Sequence, residues 1–187
     1  MGFHTFDPES ADKLEDESRY RYLSREELVS ALDLGRGRSR DTIADLGSGT
    51  GFYTDDVAPF AGDVRAVDLQ DAMHELYREK GVPENVELVT ADVEDLPFGD
   101  GELDAAFSTM TFHEFASEGA LAEVARVLED GARFVVADWT ANGDGESGPP
   151  VTERYDRDEA VELLEDAGFE VLRGDERPET FFVIAMA

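Results

Sequence analysis

The chain has 187 residues, a length suited to one domain with one substantial core. It carries 45 acidic against 16 basic side chains, a formal net charge of -29, and no cysteine, which excludes disulfides, zinc–thiolate sites and cysteine nucleophiles. No apolar run approaches the ~18 residues of a membrane span. Residues 1–4 show no charged-then-apolar leader pattern, so a soluble, cytoplasmic protein is expected.

The acidic residues are spread along the whole chain rather than gathered in a tail. Self-repulsion of this size opposes compaction in dilute salt, because screening acts over ~10 Å at 0.1 M ionic strength and ~3 Å at 1 M. The even spread favours adaptation to a salty cytoplasm over an acidic surface made for a basic partner.

Residues 9–34 place Leu14, Tyr22, Leu23, Leu28, Val29 and Leu32 among charged residues, a spacing that predicts one or two amphipathic helices. A polar run over 34–40 ends this N-terminal segment, 1–40, and the rest, 41–187, reads as one domain. Residues 42–46 read as a short buried strand, followed at once by Gly47-Ser48-Gly49-Thr50-Gly51 and a helix over 52–60. Strand 64–68, helix 71–80, strand 86–90, a loop through Pro97, strand 105–109, helix 118–128 and strand 132–138 follow. This alternation predicts a parallel sheet covered on both faces. After a glycine-rich loop at 142–150 comes a helix over 157–167, closed by Gly168. The apolar runs 169–172 and 180–186 are joined by too short a link for a helical crossover, so they are expected as an antiparallel hairpin.

The first strand ends in Asp45-Leu46-Gly47-Ser48-Gly49-Thr50-Gly51. Glycines here let a ligand approach the backbone where no Cβ intervenes. A dinucleotide fingerprint would need its third glycine at position 52, which is Phe52. A ligand-free glycine turn remains the alternative for the loop alone. The second strand ends in Asp68, where an acid can accept from both ribose hydroxyls; a solvated strand-end aspartate is the plainer alternative.

The Asp45-x-Gly47-x-Gly49-x-Gly51 run resembles the first signature of class I S-adenosylmethionine-dependent methyltransferases of the small-molecule, methyltransferase type 11/UbiE-like branch. The resemblance implies an α/β, Rossmann-like doubly wound sheet of seven mostly parallel strands, the last antiparallel, with 1–40 as an N-terminal helical lid. It implies S-adenosyl-L-methionine as cofactor, with Asp45 holding its amino group and Gly47, Ser48, Gly49 and Gly51 wrapping its methionine portion. Asp68 would then take the ribose, Leu69 and Met73 would flank the adenine, Asp92 would accept from its exocyclic amine and the Val93 N–H would donate to the ring. Leu69 and Met73 also read as core. The likeness continues through 104–113 and 123–139, and it puts Ser108 and Thr109 at the cofactor where the methyl donor meets the acceptor.

His113 and Glu114 follow the fourth strand closely, so they are the candidate catalytic pair, with His113 as general base. The alternatives are that they anchor the next helix, or that positioning alone suffices. The segment 108–114 lacks the Asn/Asp-Pro-Pro-aromatic motif of nucleic-acid base methylation, so a small-molecule acceptor is expected, with oxygen, nitrogen and carbon left open. No metal, nucleic acid or membrane partner is implied, and the oligomeric state is open. His4, Phe6, Arg19, Tyr22, Trp139 and Gly148-Pro149-Pro150 are expected to roof the acceptor pocket, and Phe112, Phe115 and Trp139 to form an apolar wall or part of the core. A non-catalytic cofactor-binding module and, less well supported, a nicotinamide-dependent oxidoreductase are the competing functions.

Overall fold

The computed structural model describes residues 8–34 and 41–187. Its seven strands, β1 Thr42–Leu46, β2 Asp63–Asp68, β3 Val86–Thr90, β4 Leu103–Thr109, β5 Leu128–Trp139, β6 Glu170–Glu176 and β7 Thr180–Met186, form one sheet in the order β3-β2-β1-β4-β5-β7-β6. β7 is antiparallel to both its neighbours, while β1 to β5 pair in parallel, so the expected architecture is found. The helices are α1 Arg25–Leu32, α2 Phe52–Val57, α3 Asp71–Lys80, α4 Phe112–Phe115, α5 Glu118–Val127 and α6 Arg157–Asp166.

The sheet is apolar on both faces because its central strands alternate between two cores. On β5, Phe134 and Val136 pack with Leu121 and Val124 of α5 and Leu164 of α6, whereas Val135 and Ala137 face Leu28 of α1 and Val57 of α2. The edge strands differ. β3 carries Glu87, and β6 carries Glu170, Arg173, Asp175 and Glu176, charges that discourage pairing with another chain. Ser24, Ser117 and Asp156 cap α1, α5 and α6 through backbone N–H groups, and Asp156 with Glu159 completes a capping box. Each such cap contributes about 1 kcal/mol.

Of the one or two helices expected within 9–34, one is present, and the helix expected over 52–60 is shorter. Within 9–34 only α1 is α-helical; Pro8–Glu15 and Glu17–Arg21 are 3-10 turns, broken at Asp16, whose side chain caps the second turn by accepting from Ser18 N at 2.8 Å. The helix expected over 52–60 stops being α-helical at Val57, and Ala58–Phe60 is a 3-10 turn containing Pro59, which has no N–H to continue the ladder. The chain order reverses between β1 and β4, and a crevice opens at the carboxyl ends of these strands, where open α/β sheets bind ligands.

Candidate active site

After Asp45 the chain turns through Gly47, Gly49 and Gly51 at φ of 82°, 53° and 82°, a region that strains any L side chain. Packing adds a second reason. A Cβ would lie 2.3 Å from Thr111 Cγ2 at Gly47 and 2.1 Å from the Tyr77 ring at Gly51, so protein atoms rather than a ligand occupy that space. Only at Gly49, where a Cβ would stand 3.3 Å from Leu14, is the neighbour a flexible side-chain tip. Gly47 N and Ser48 N both donate to Val67 O at 2.9 Å, and Gly49 N donates to Asp68 Oδ2 at 2.8 Å. The loop is thus tied to the end of β2.

Beside this loop lies a cavity of about 1090 Å³. Gly47, Ser48 and Gly49 line it, as do Asp68 at the end of β2, Leu69 and Met73 after it, Asp92 and Val93 after β3, and Thr109 at the end of β4. Asp45, Gly51 and Ser108 lie outside this lining, behind it. Asp68 Oδ1 accepts from Gln70 N at 2.9 Å, so each carboxylate oxygen holds one backbone N–H and keeps acceptor capacity toward the cavity. Asp92 Oδ1 accepts from Glu94 N at 3.0 Å, shaping its loop. Met73 is buried, whereas Leu69 is 56% exposed, so only Met73 serves as core.

Asp45 is buried, and its Oδ2 accepts from Thr54 Oγ1 at 2.6 Å while Oδ1 has no partner. Burial pushes its carboxyl up to about 7, against the pull of the Thr54 hydrogen bond, and Asp68 adds to the rise. An acceptor left open in this way suits a cationic amine. Ser48 Oγ is also buried without a partner, as is Ser108 Oγ, which is fully enclosed within β4.

At the other end of the cavity, α4 presents His113 and Glu114. His113 is held by Asp138, the penultimate residue of β5: its backbone N donates to Asp138 Oδ2 at 2.6 Å, and its Nδ1 stands 2.9 and 3.1 Å from the two carboxylate oxygens. Trp139 N donates to Asp138 Oδ1 at 2.7 Å. Burial pulls the His113 pKa down, but the charge and hydrogen bond of Asp138, with help from Glu114, outweigh it and the net direction is up. Burial pushes Glu114 up to about 7, with His113 opposing and Asp68 and Asp138 adding to the rise. Sequence reasoning missed Asp138; its one signal was an acid closing the apolar run of β5. His113 is thus held against β5 by Asp138 and also lines the cavity.

The roof comes from distant segments. Tyr22 packs edge-on against Trp139 at 4.8 Å, and its hydroxyl donates to Ser147 Oγ at 3.2 Å. Arg21 pairs with Glu146 at 3.0 Å. Arg19 spreads over the Phe52 and Tyr53 rings at 5.1 and 5.2 Å and donates to Leu14 O. The buried Arg154 ties down the loop by donating to Ser147 O and Pro149 O. Phe115 and Trp139 line the cavity as an apolar wall, whereas Phe112 is fully buried among Phe115, Tyr155 and Phe181 and belongs to the core. His4 and Phe6 lie outside the described residues.

A family model described as a methyltransferase domain matches residues 44–136. A solved S-adenosylmethionine-dependent methyltransferase from Aquifex aeolicus superposes with a TM-score of 0.86 at 33% identity, covering 97% of this chain and 99% of that one. This chain belongs to the S-adenosylmethionine-dependent methyltransferases. Among curated relatives, a ubiquinone/menaquinone biosynthesis C-methyltransferase of Enterobacter sp. (strain 638) is 34% identical over 117 residues, 58% of this chain and 47% of that protein. The O-methyltransferase cnsE of Penicillium expansum is 32% identical over 145 residues, 70% of this chain and 52% of that protein. The chain spans about half the length of these curated relatives. The family's cofactor is S-adenosylmethionine, and the residues fit it: an unpartnered acceptor on Asp45 behind the glycine loop, a carboxylate with spare capacity at Asp68, and a cavity joining Asp68 to His113.

Proposed function

We propose that this methyltransferase family member transfers a methyl group from S-adenosylmethionine to a small-molecule acceptor. The observation that carries the reading is one continuous cavity, with the three cofactor segments at one end and a buried imidazole under an aromatic roof at the other. The cofactor supplies a methyl group activated on a sulfonium. Gly47, Ser48 and Gly49 cradle its methionine portion, with Gly51 fixing the turn. Asp45 faces the amino group from behind the loop, and Asp68 accepts from the ribose hydroxyls. Leu69 and Met73 flank the adenine, and Asp92 with the Val93 N–H reads its edge. Thr109 stands at the reacting end, with Ser108 supporting it from within the strand.

His113 is the general base, and Glu114 shares its charge. The N-terminal segment 1–40 is the lid, and its described part is fastened to the glycine loop, where Glu15 accepts from Thr50, and to the 146–147 loop through Arg21 and Tyr22. The acidic surface fits a salt-rich cytoplasm. The test is release of S-adenosylhomocysteine against a panel of small hydroxyl, amine and carbon acceptors. Turnover with at least one of them is expected, and cofactor binding without turnover on any would mark a binding module instead.

A further inference from the structure

The Asp138 carboxylate is fully buried, and both of its oxygens face the Nδ1 of the His113 ring. Two backbone N–H groups, from His113 and Trp139, and the ring Nδ1 converge on its two oxygens. With Nδ1 donating to the carboxylate, the neutral ring carries its lone pair on Nε2. Glu114 Oε1 stands 3.9 Å from Nε2, beyond hydrogen-bonding distance, so among the described residues this lone pair is open to a molecule in the cavity. The roof above offers aromatic and proline surfaces: Tyr22 and Trp139 packed edge to face at 70°, Phe115, and Pro149-Pro150. Gly148 lies so close over the indole that a Cβ there would meet it at 2.5 Å.

Resting on the methyltransferase reading above, we propose that Asp138 is the positioning residue of an Asp138–His113 proton-accepting dyad. The acceptor this dyad serves carries a hydroxyl on a planar, mostly apolar ring. The chemistry separates this acceptor from an amine. A neutral amine attacks through its own lone pair and can shed its proton afterwards, whereas a neutral hydroxyl is a weak nucleophile whose proton has to leave as the new bond forms. A buried carboxylate is expensive to build, and it is explained when it stabilises an imidazolium at that moment. In the step, Nε2 takes the hydroxyl proton, the freed oxygen pair becomes the new carbon–oxygen bond, and the old carbon–sulfur pair stays on sulfur in the thioether product. The groups facing the ring agree. Asp138 from β5 and Glu114 from α4 favour the imidazolium, Arg154 opposes it, and Asp68 acts on Glu114 from β2.

The experiment combines histidine nitrogen NMR with kinetics on the full chain, using phenol, 4-nitrophenol, aniline and 4-nitroaniline as probes. In the wild type, the His113 signal, assigned by its loss in His113→Gln, is expected to show a protonated Nδ1 and an unprotonated Nε2 above its pKa. That pKa is expected above the ordinary ~6.5. Asp138→Asn is expected to lower it by at least about one unit and to cut kcat on phenol by about 10²–10⁴-fold with KM little changed. The loss is expected to be much smaller on the more acidic 4-nitrophenol. A His113 pKa unmoved in a folded Asp138→Asn protein overturns the dyad. If that variant does not fold, an Nε2-protonated wild-type ring does the same. Methylation of the anilines but not the phenols, or of neither while the cofactor binds, overturns the acceptor class. Absence of cofactor binding by calorimetry instead defeats the underlying functional reading.

Discussion

The glycine-loop end of the cavity is held largely by backbone N–H groups, and the roof at 146–147 by side chains. Around the glycine loop, Gly47 N, Ser48 N and Gly49 N are fixed on β2 within about 20 positions of sequence, through Val67 O and Asp68 Oδ2. Around the acceptor, Arg21 and Tyr22 reach Glu146 and Ser147 across 125 positions, and the bonds are exposed. Backbone-fixed geometry tolerates surface substitution, whereas side-chain contacts across long loops can be remodelled one residue at a time. On the proposed function, the difference separates the cofactor site from the acceptor site.

The largest effect expected is on the chemistry. His113→Ala is predicted to lower kcat by about 10²–10⁴-fold with the cofactor Kd nearly unchanged, measured by steady-state kinetics and calorimetry. Because Asp138 and Glu114 outweigh burial at His113, the rising limb of the pH–rate profile is expected above the ordinary ~6.5 of an imidazole. Turnover unchanged in His113→Ala would leave alignment as the whole mechanism and erase the contrast between the two ends.

Asp45→Asn tests the cofactor end. A carboxyl raised to about 7 in the folded state, against ~3.9 when unfolded, favours folding below the unfolded value and loses that contribution as pH rises through 7. Without cofactor, Asp45→Asn is therefore predicted to be more stable than wild type at pH 8, on the order of 2–4 kcal/mol, with the gap closing toward pH 5. Denaturant unfolding at the two pH values measures it. The same variant is expected to bind S-adenosylmethionine more weakly.

Asp68→Ala is predicted to weaken cofactor binding by about 1.5–3 kcal/mol in a folded protein, read by calorimetry. Part of that loss will come from Gly49 N, which loses its acceptor at 2.8 Å. A smaller response is expected from salt. With a net charge of -29, the thermal midpoint is predicted to rise between 0.1 and 2 M KCl, beginning at the low concentrations where screening acts. A flat midpoint would favour an acidic surface made for a partner. The smallest effect is expected from Arg21→Ala: its ion pair with Glu146 leaves both side chains 59% exposed, so stability should change by less than about 1 kcal/mol. A larger loss would mean that the acceptor roof is more firmly held than its exposure suggests.

The contrast also explains what could be read from the sequence. The succession of strands and helices and the closing β6–β7 hairpin follow from apolar runs and link lengths, which act locally. Asp68, Asp92 and the glycines were legible as candidates because each sits at or just beyond the end of a strand. The reason for Gly47 and Gly51 was not, since Thr111 and Tyr77 reach them from elsewhere in the fold. Asp138 was hidden for a similar cause: an aspartate closing an apolar strand looks like any strand end until β4 and β5 pair and bring α4 beside it. The 3-10 turns before α1 were missed because their apolar spacing also fits an α-helix.

The most direct measurement is a calorimetric titration of the wild-type protein, in molar KCl, with S-adenosylmethionine, S-adenosylhomocysteine and NAD in turn. Binding of the first two at micromolar level, with no heat from NAD, is the predicted result. Binding of NAD, or of neither S-adenosyl compound, would contradict the assignment of the cavity.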